Sequence, residues 1–129
     1  MRRDMSLIRE LMLKLEDMPT DSFQVWSIQY DDELLAVDGR SMGEIAYHLK
    51  LILEAGFMEP HDGQGMTSFT YSGLTWAGHD FVDSVRDPEV WRQVKERAQQ
   101  AGSFTVDLLI GLAKAYAKAR LQAITGIHF

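Results

Sequence analysis

Four histidines, His48, His61, His79 and His128, are the residues of this 129-residue chain best suited by type to hold a metal or move a proton. None stands at a paired spacing such as His-x-x-x-His, and the chain contains no cysteine, so neither a histidine pair nor a thiolate cluster is written into it. His61-Asp62 and His79-Asp80 are adjacent pairs, which do not face one another on a helix. His79 and Asp83 would share a helix face, but a hydrogen-bonded structural histidine is the commoner arrangement. The glycines form no phosphate loop. Gly39 and Gly43 lack the spacing, and Gly63-Gln64-Gly65 precedes a strand rather than a helix. The expectation is a non-enzymatic protein with no catalytic, metal or cofactor site.

Charge is the next chemistry to ask about, and it is unevenly spread. The formal net charge is −6 at pH 7, yet from Leu15 to Val85 only Arg40 and Lys50 are basic, against thirteen Asp and Glu. The other eleven Lys and Arg lie in the flanks, Arg2 to Lys14 and Arg86 to Arg120. Duplex affinity comes largely from neutralising phosphates, often roughly six to ten of them. Two central cations do not supply that. A DNA-binding form would recruit Arg2, Arg3, Arg86, Arg92, Lys95 and Arg97, or gather the flanks in a dimer.

The elements that must position these residues follow from periodicity. Leu7, Ile8, Leu11, Met12, Leu15 and Met18 recur at three and four residues, which predicts a helix from Asp4 to about Met18, ended by Pro19. Phe23 to Tyr30 reads as a strand, Asp31-Asp32 as a turn and Glu33 to Val37 as a second strand, with a short helix over Asp32 to Val37 as the alternative. After a central helix, Phe57 to His61 and Met66 to Leu74 read as strands joined by Asp62-Gly63-Gln64-Gly65, a hairpin and candidate wing. Thr75 caps a helix with Phe81, Val82 and Val85 inward. Asp87-Pro88 opens another, carrying Trp91, Val94 and Ala98. Gly102 ends that helix, and Ser103 caps a last one to about Thr125 with Val106, Leu109, Ile110, Ala113, Tyr116 and Ala117 on one side. Trp26 and Trp91 are expected inward and Trp76 as a lid on the hairpin. The fold class is α+β. At 46% hydrophobic the chain can build one core. No apolar run of about 18 residues offers a membrane span, and Met1-Arg2-Arg3-Asp4 leads into an amphipathic helix rather than a signal sequence. Without cysteine, a cytoplasmic protein is expected.

The central helix runs from Ser41 to Gly56. Ser41 can cap its first turn while Glu44 reaches back to close a capping box, and Gly56 supplies a left-handed stop. Met42, Ile45, Ala46, Leu49, Ile52 and Leu53 fall on one face and are expected in the core. Glu44, Tyr47, His48, Leu51 and Glu54 fall on the other. Glu44, Tyr47, His48 and Leu51 are therefore the candidate interaction face, and Arg40, Lys50, Arg2 and Arg3 the candidate nucleic-acid contacts.

Two segments, Ile45 to Phe57 and Gly73-Leu74-Thr75-Trp76-Ala77-Gly78-His79-Asp80-Phe81, look like the recognition helix and post-wing helix of small bacterial winged-helix repressors. The first is similar in pattern to the arsenic-repressor type. Together with Arg86-Asp87-Pro88-Glu89-Val90-Trp91 and the Ile8 to Leu15 helix, the whole chain resembles the bacterial and phage family called domain of unknown function 2513. The run from Gly-His-Asp-Phe to Arg-Asp-x-x-x-Trp is the most specific part. The resemblance implies a winged helix-turn-helix-like fold and brings no activity with it. One departure from ordinary repressors stands before Arg40, where a clean first helix of the helix-turn-helix is missing. The expected organisation is a winged-helix-like domain over residues 1–102, with 103–129 as a C-terminal helix that packs on it or makes an oligomer. The expected function is a binding module whose partner is a protein or a second copy of itself. A DNA-binding regulator is the alternative.

Overall fold

In a computed structural model of the chain, which describes residues 1–19, 24–62 and 64–126, Asp4 opens the first helix. Its carboxylate accepts the Ser6 N–H at 2.9 Å and the Leu7 N–H at 3.3 Å, satisfying two donors that the first turn leaves unpaired. The helix, α1 (Met5–Asp17), buries Leu7, Ile8, Leu11, Met12 and Leu15 at the spacing the periodicity predicts. Phe23, Gly63 and His128 lie outside the described residues, and with them the start of the expected first strand, the middle of the expected wing turn and one of the four histidines.

The first strand, β1, covers Trp26–Gln29. The expected second strand over Glu33 to Val37 is a short 3-10 turn, Glu33–Leu35. The cause is local. The Asp32 carboxylate accepts the Leu34 N–H at 2.9 Å and turns the chain at once, so that Leu35 is fully buried while Leu34 stays exposed. The central helix, α2 (Met42–Glu54), packs on α1.

The second strand, β2 (Ser68–Tyr71), does not pair along its length with the segment that precedes it in sequence. It pairs antiparallel with β1, in the register Trp26↔Tyr71, Ser27↔Thr70, Ile28↔Phe69 and Gln29↔Ser68. The expected strand over Phe57 to His61 contributes a single bridge, Met58↔Leu74. Pro60 has no N–H to continue a ladder. Side chains then take the place of a strand along the outer edge of β2. The Gln64 amide accepts the Thr70 N–H at 2.8 Å and donates to the Thr70 carbonyl at 2.7 Å, while His61 Nε2 meets Ser72 Oγ at 2.7 Å. An edge paired in this way offers no template for another chain.

Helix α3 (Trp76–Val85) is followed by α4 (Pro88–Ala101) and α5 (Val106–Thr125). Asp87 caps α4 with proline in its first turn, and Gly102 ends it at φ +70°. Thr105, not Ser103, caps α5, accepting the Leu108 N–H at 3.3 Å. The architecture is α+β, with five α-helices and a two-stranded antiparallel sheet among the described residues.

The chain forms two compact units, Met1–Val82 and Asp83–Phe129. The division falls within α3, earlier than the boundary expected after Gly102. Its cause in the second unit is that α4 and α5 pack on one another. Trp91, Val94 and Ala98 of α4 and Leu109 and Ala113 of α5 are buried, and Trp91 meets Phe104 edge-on at 6.3 Å.

Candidate functional site

The start of α2 brings together most of the residues the sequence singled out. The capping box is complete: Ser41 Oγ accepts the Glu44 N–H at 3.1 Å and Glu44 Oε1 accepts the Ser41 N–H at 3.3 Å. Glu44 Oε2 also takes Arg40 Nη1 at 3.2 Å, and the second guanidinium nitrogen of Arg40 binds the Asp4 carboxylate. Arg40 thus joins the cap of α1 to the first turn of α2. The Asp4 carboxyl is opposed by burial, but the Arg40 guanidinium and the Leu7 and Ser6 N–H groups together hold it below the usual carboxylate range. Glu44 is held low by the Ser41 N–H and by Arg40. The Arg40 guanidinium, read from the sequence as a candidate phosphate contact, is thus shared by two carboxylates of its own chain. The sequence reading missed Asp4, which is 36 residues away in the chain and gives no local signal.

His48 is a correction to the sequence reading. Expected on the outward face, it is 1% exposed. Its Nδ1 lies 2.8 Å from the Glu44 carbonyl, which can only accept, and its Nε2 accepts the Asp4 N–H at 2.9 Å. That pattern fixes the neutral tautomer with the proton on Nδ1. The buried stripe of α2 is accordingly Ile45, His48, Leu49 and Ile52, and Met42, expected inward, is exposed. At the start of α1 the Asp4 N–H faces α2, a backbone donor that a histidine at this position satisfies and a methionine would not.

Of the expected interaction face, Tyr47 and Leu51 are half-exposed, with Tyr47 edge-on to the His48 ring at 5.5 Å. Glu44 and His48 are structural. Lys50 is exposed and sits 3.8 Å from Glu54 in a solvent-accessible pair of little energetic weight. Arg2 and Arg3 are exposed at the N-terminus.

The Gly73 to Phe81 segment is a clasp. Thr75 Oγ1 accepts the Gly78 N–H at 3.1 Å and donates to the Gly56 carbonyl, and the Thr75 N–H reaches the Phe57 carbonyl at 3.0 Å. Phe57 stacks on Phe81 at 5.0 Å. The clasp leaves Trp76, His79 and Asp80 exposed. Trp76 is 85% exposed, so it does not cover the hairpin. Asp83 pairs with Arg86 at 2.8 Å.

In the second unit, α4 and α5 flank an apolar groove of about 240 Å³. Leu112, Ala115, Tyr116 and Ala119 of α5 line it, with Val94 and Arg97 among its α4 residues. The sequence reading placed Tyr116 on a single apolar side of the last helix and missed the other three. Their three- and four-residue spacing was the available signal. Farther along α5, Leu121 and Ile124 are exposed.

The family described as "Hypothetical protein (DUF2513)" matches residues 2–104. The chain belongs to this family. The DUF2513 match takes in α1 to α4 and ends before α5. Over 120 residues the chain is 28% identical to a Haemophilus influenzae protein described as uncharacterised, spanning 92% of this chain and 93% of that one. No solved structure matches the chain. Among the described residues, no group of three or more His, Asp or Glu is placed to hold a metal ion, and no helix is long and apolar enough to cross a membrane.

Proposed function

We propose that this DUF2513 protein is a cytoplasmic, winged-helix-like interaction module that works without catalysis and self-associates through its C-terminal helices. Its order of helix, strand, short turn, helix, returning strand and helix is compatible with a winged helix in which the 3-10 turn stands for the missing first helix of the helix-turn-helix. The observation that carries the binding reading is α5. Of its twenty residues, Leu109 and Ala113 are the buried ones, although most of the helix is apolar. A helix apolar on more than one side is expected to find a second neighbour.

The DNA-regulator alternative loses its best-placed cation, because Arg40 is committed to Asp4 and Glu44. An acidic winged helix remains suited to protein contacts, since function lies in the site rather than the fold. Sedimentation equilibrium of the full chain tests the self-association. The expected result is twice the chain mass, falling to the monomer on dilution. A monomer at the highest concentration the protein tolerates would overturn it.

A further inference from the structure

We propose that the α4–α5 groove is filled by α5 of a second copy, laid antiparallel across a two-fold axis between Ala115 and Tyr116. The proposal rests on the self-association reading and specifies its geometry. Leu108, Leu112, Ala115 and Ala119 follow one another at four, three and four residues, the spacing of a coiled-coil seam. Tyr116 and Ala123 border that seam. Ala115, Ala119 and Ala123 are exposed, and Leu108, Leu112 and Tyr116 are half-exposed, so the intramolecular contact with α4 covers the stripe only in part. Leu109 and Ala113, one position round, are the buried residues.

The order of side-chain sizes identifies the occupant. Large residues come first along the stripe and small ones last. An antiparallel copy reverses that order, setting Leu108 against Ala123 of the partner, Leu112 against Ala119 and Tyr116 against Ala115. Each large side chain then meets a small one, which fills the space and lets the helices approach closely. A parallel copy would set leucine on leucine at one end and alanine on alanine at the other, leaving a gap there. Lys118, at the margin of the seam, falls level with position 113 of the other copy rather than beside its own counterpart. Such a contact is isologous and closes as a dimer.

The chain has no cysteine, so single-cysteine variants of the full protein report the geometry directly. A disulfide needs its Cα atoms within about 7 Å. Position 115 lies next to the axis and meets its own counterpart. Position 119 is seven residues from its counterpart along the axis, roughly 10 Å at the helical rise. Under mild oxidation, Ala115→Cys is expected to form covalent dimer at least about tenfold faster than Ala119→Cys, the latter being beyond disulfide reach. An equal mixture of Leu112→Cys and Ala119→Cys is expected to give the mixed dimer. Cross-linking of Ala119→Cys alone as fast as Ala115→Cys would mean a parallel pair and overturn the proposal. So would a dimeric mass with no cross-link at 115 and none in the mixture. A monomeric mass of the unmodified protein would instead remove the self-association reading beneath it.

Discussion

Replacing Gly78 with alanine is expected to destabilise the first unit by about 3 kcal/mol or more, the range of severe overpacking. A Cβ built at Gly78 would lie 2.1 Å from the Phe57 carbonyl oxygen, 3.0 Å from its carbon and 3.2 Å from its Cα. These are backbone atoms, so no side-chain rotation relieves the clash. Phe57 is itself fixed. Its carbonyl accepts the Thr75 N–H at 3.0 Å, its ring stacks on Phe81, and Gly56 before it holds φ +76°. Moving α3 outward would break the Thr75 clasp and the ring stack together. Gly111→Ala is the control, because a Cβ there meets nothing within 4 Å. In a helix interior that change is expected to stabilise by roughly 0.5–1 kcal/mol. Urea unfolding of the two variants checks both signs. A Gly78→Ala midpoint equal to the parent would show that α3 does not approach Phe57 this closely.

His48→Ala is the second large effect, expected at about 2–4 kcal/mol from the lost packing and from two hydrogen bonds left open. The ring joins the carbonyl of Glu44 to the N–H of Asp4, and Asp4 in turn holds Arg40. The start of α1 and the start of α2 are therefore tied twice, by a neutral imidazole and by a guanidinium. Leu51→Ala and Lys50→Ala, at or near the surface of the same helix, are expected within about 0.5 kcal/mol for Lys50 and not far above it for Leu51. The contrast is diagnostic. If His48 faced solvent, as the helical periodicity alone suggests, its removal would resemble that of Lys50. Denaturation midpoints of the three variants decide between the two placements.

What the sequence made legible was local. The Ser41–Glu44 capping box, the Asp87-Pro88 start of α4, the Thr75 cap and the buried stripe of α1 each depend on residues within a turn or two. The DUF2513 family was legible too, from the Gly73 to Trp91 segment. The placement of His48, the pairing of β2 and the ion pair of Arg40 with Asp4 were not legible for one shared reason, that the partners are distant in sequence. Asp4 is 36 residues before Arg40 and 44 before His48, and β2 pairs with β1 across some forty residues rather than with its neighbour. A single helix wheel has no means of knowing that another helix offers an N–H to a histidine. Trp76 was misplaced because the expected hairpin is reduced to a single bridge, and the buried aromatic contact of α3 is Phe81 on Phe57 instead. The groove residues of α5 were hidden by a helix with more than one apolar side, where periodicity does not say which side is spent on α4.

The proposed protein-interaction module and the alternative DNA-binding regulator differ in one directly measurable property, affinity for duplex DNA. Binding of the full chain to a random pool of duplex DNA, titrated from low to physiological salt, tests it most directly. No retention is expected even at low salt, because Arg40 is paired within its own chain and no Lys or Arg occurs from Leu51 to Val85. Retention that weakens steeply with salt would contradict the proposed module. It would mean that Arg2, Arg3 and the cations of α4 reach the duplex together, and the protein would then be read as a DNA-binding regulator.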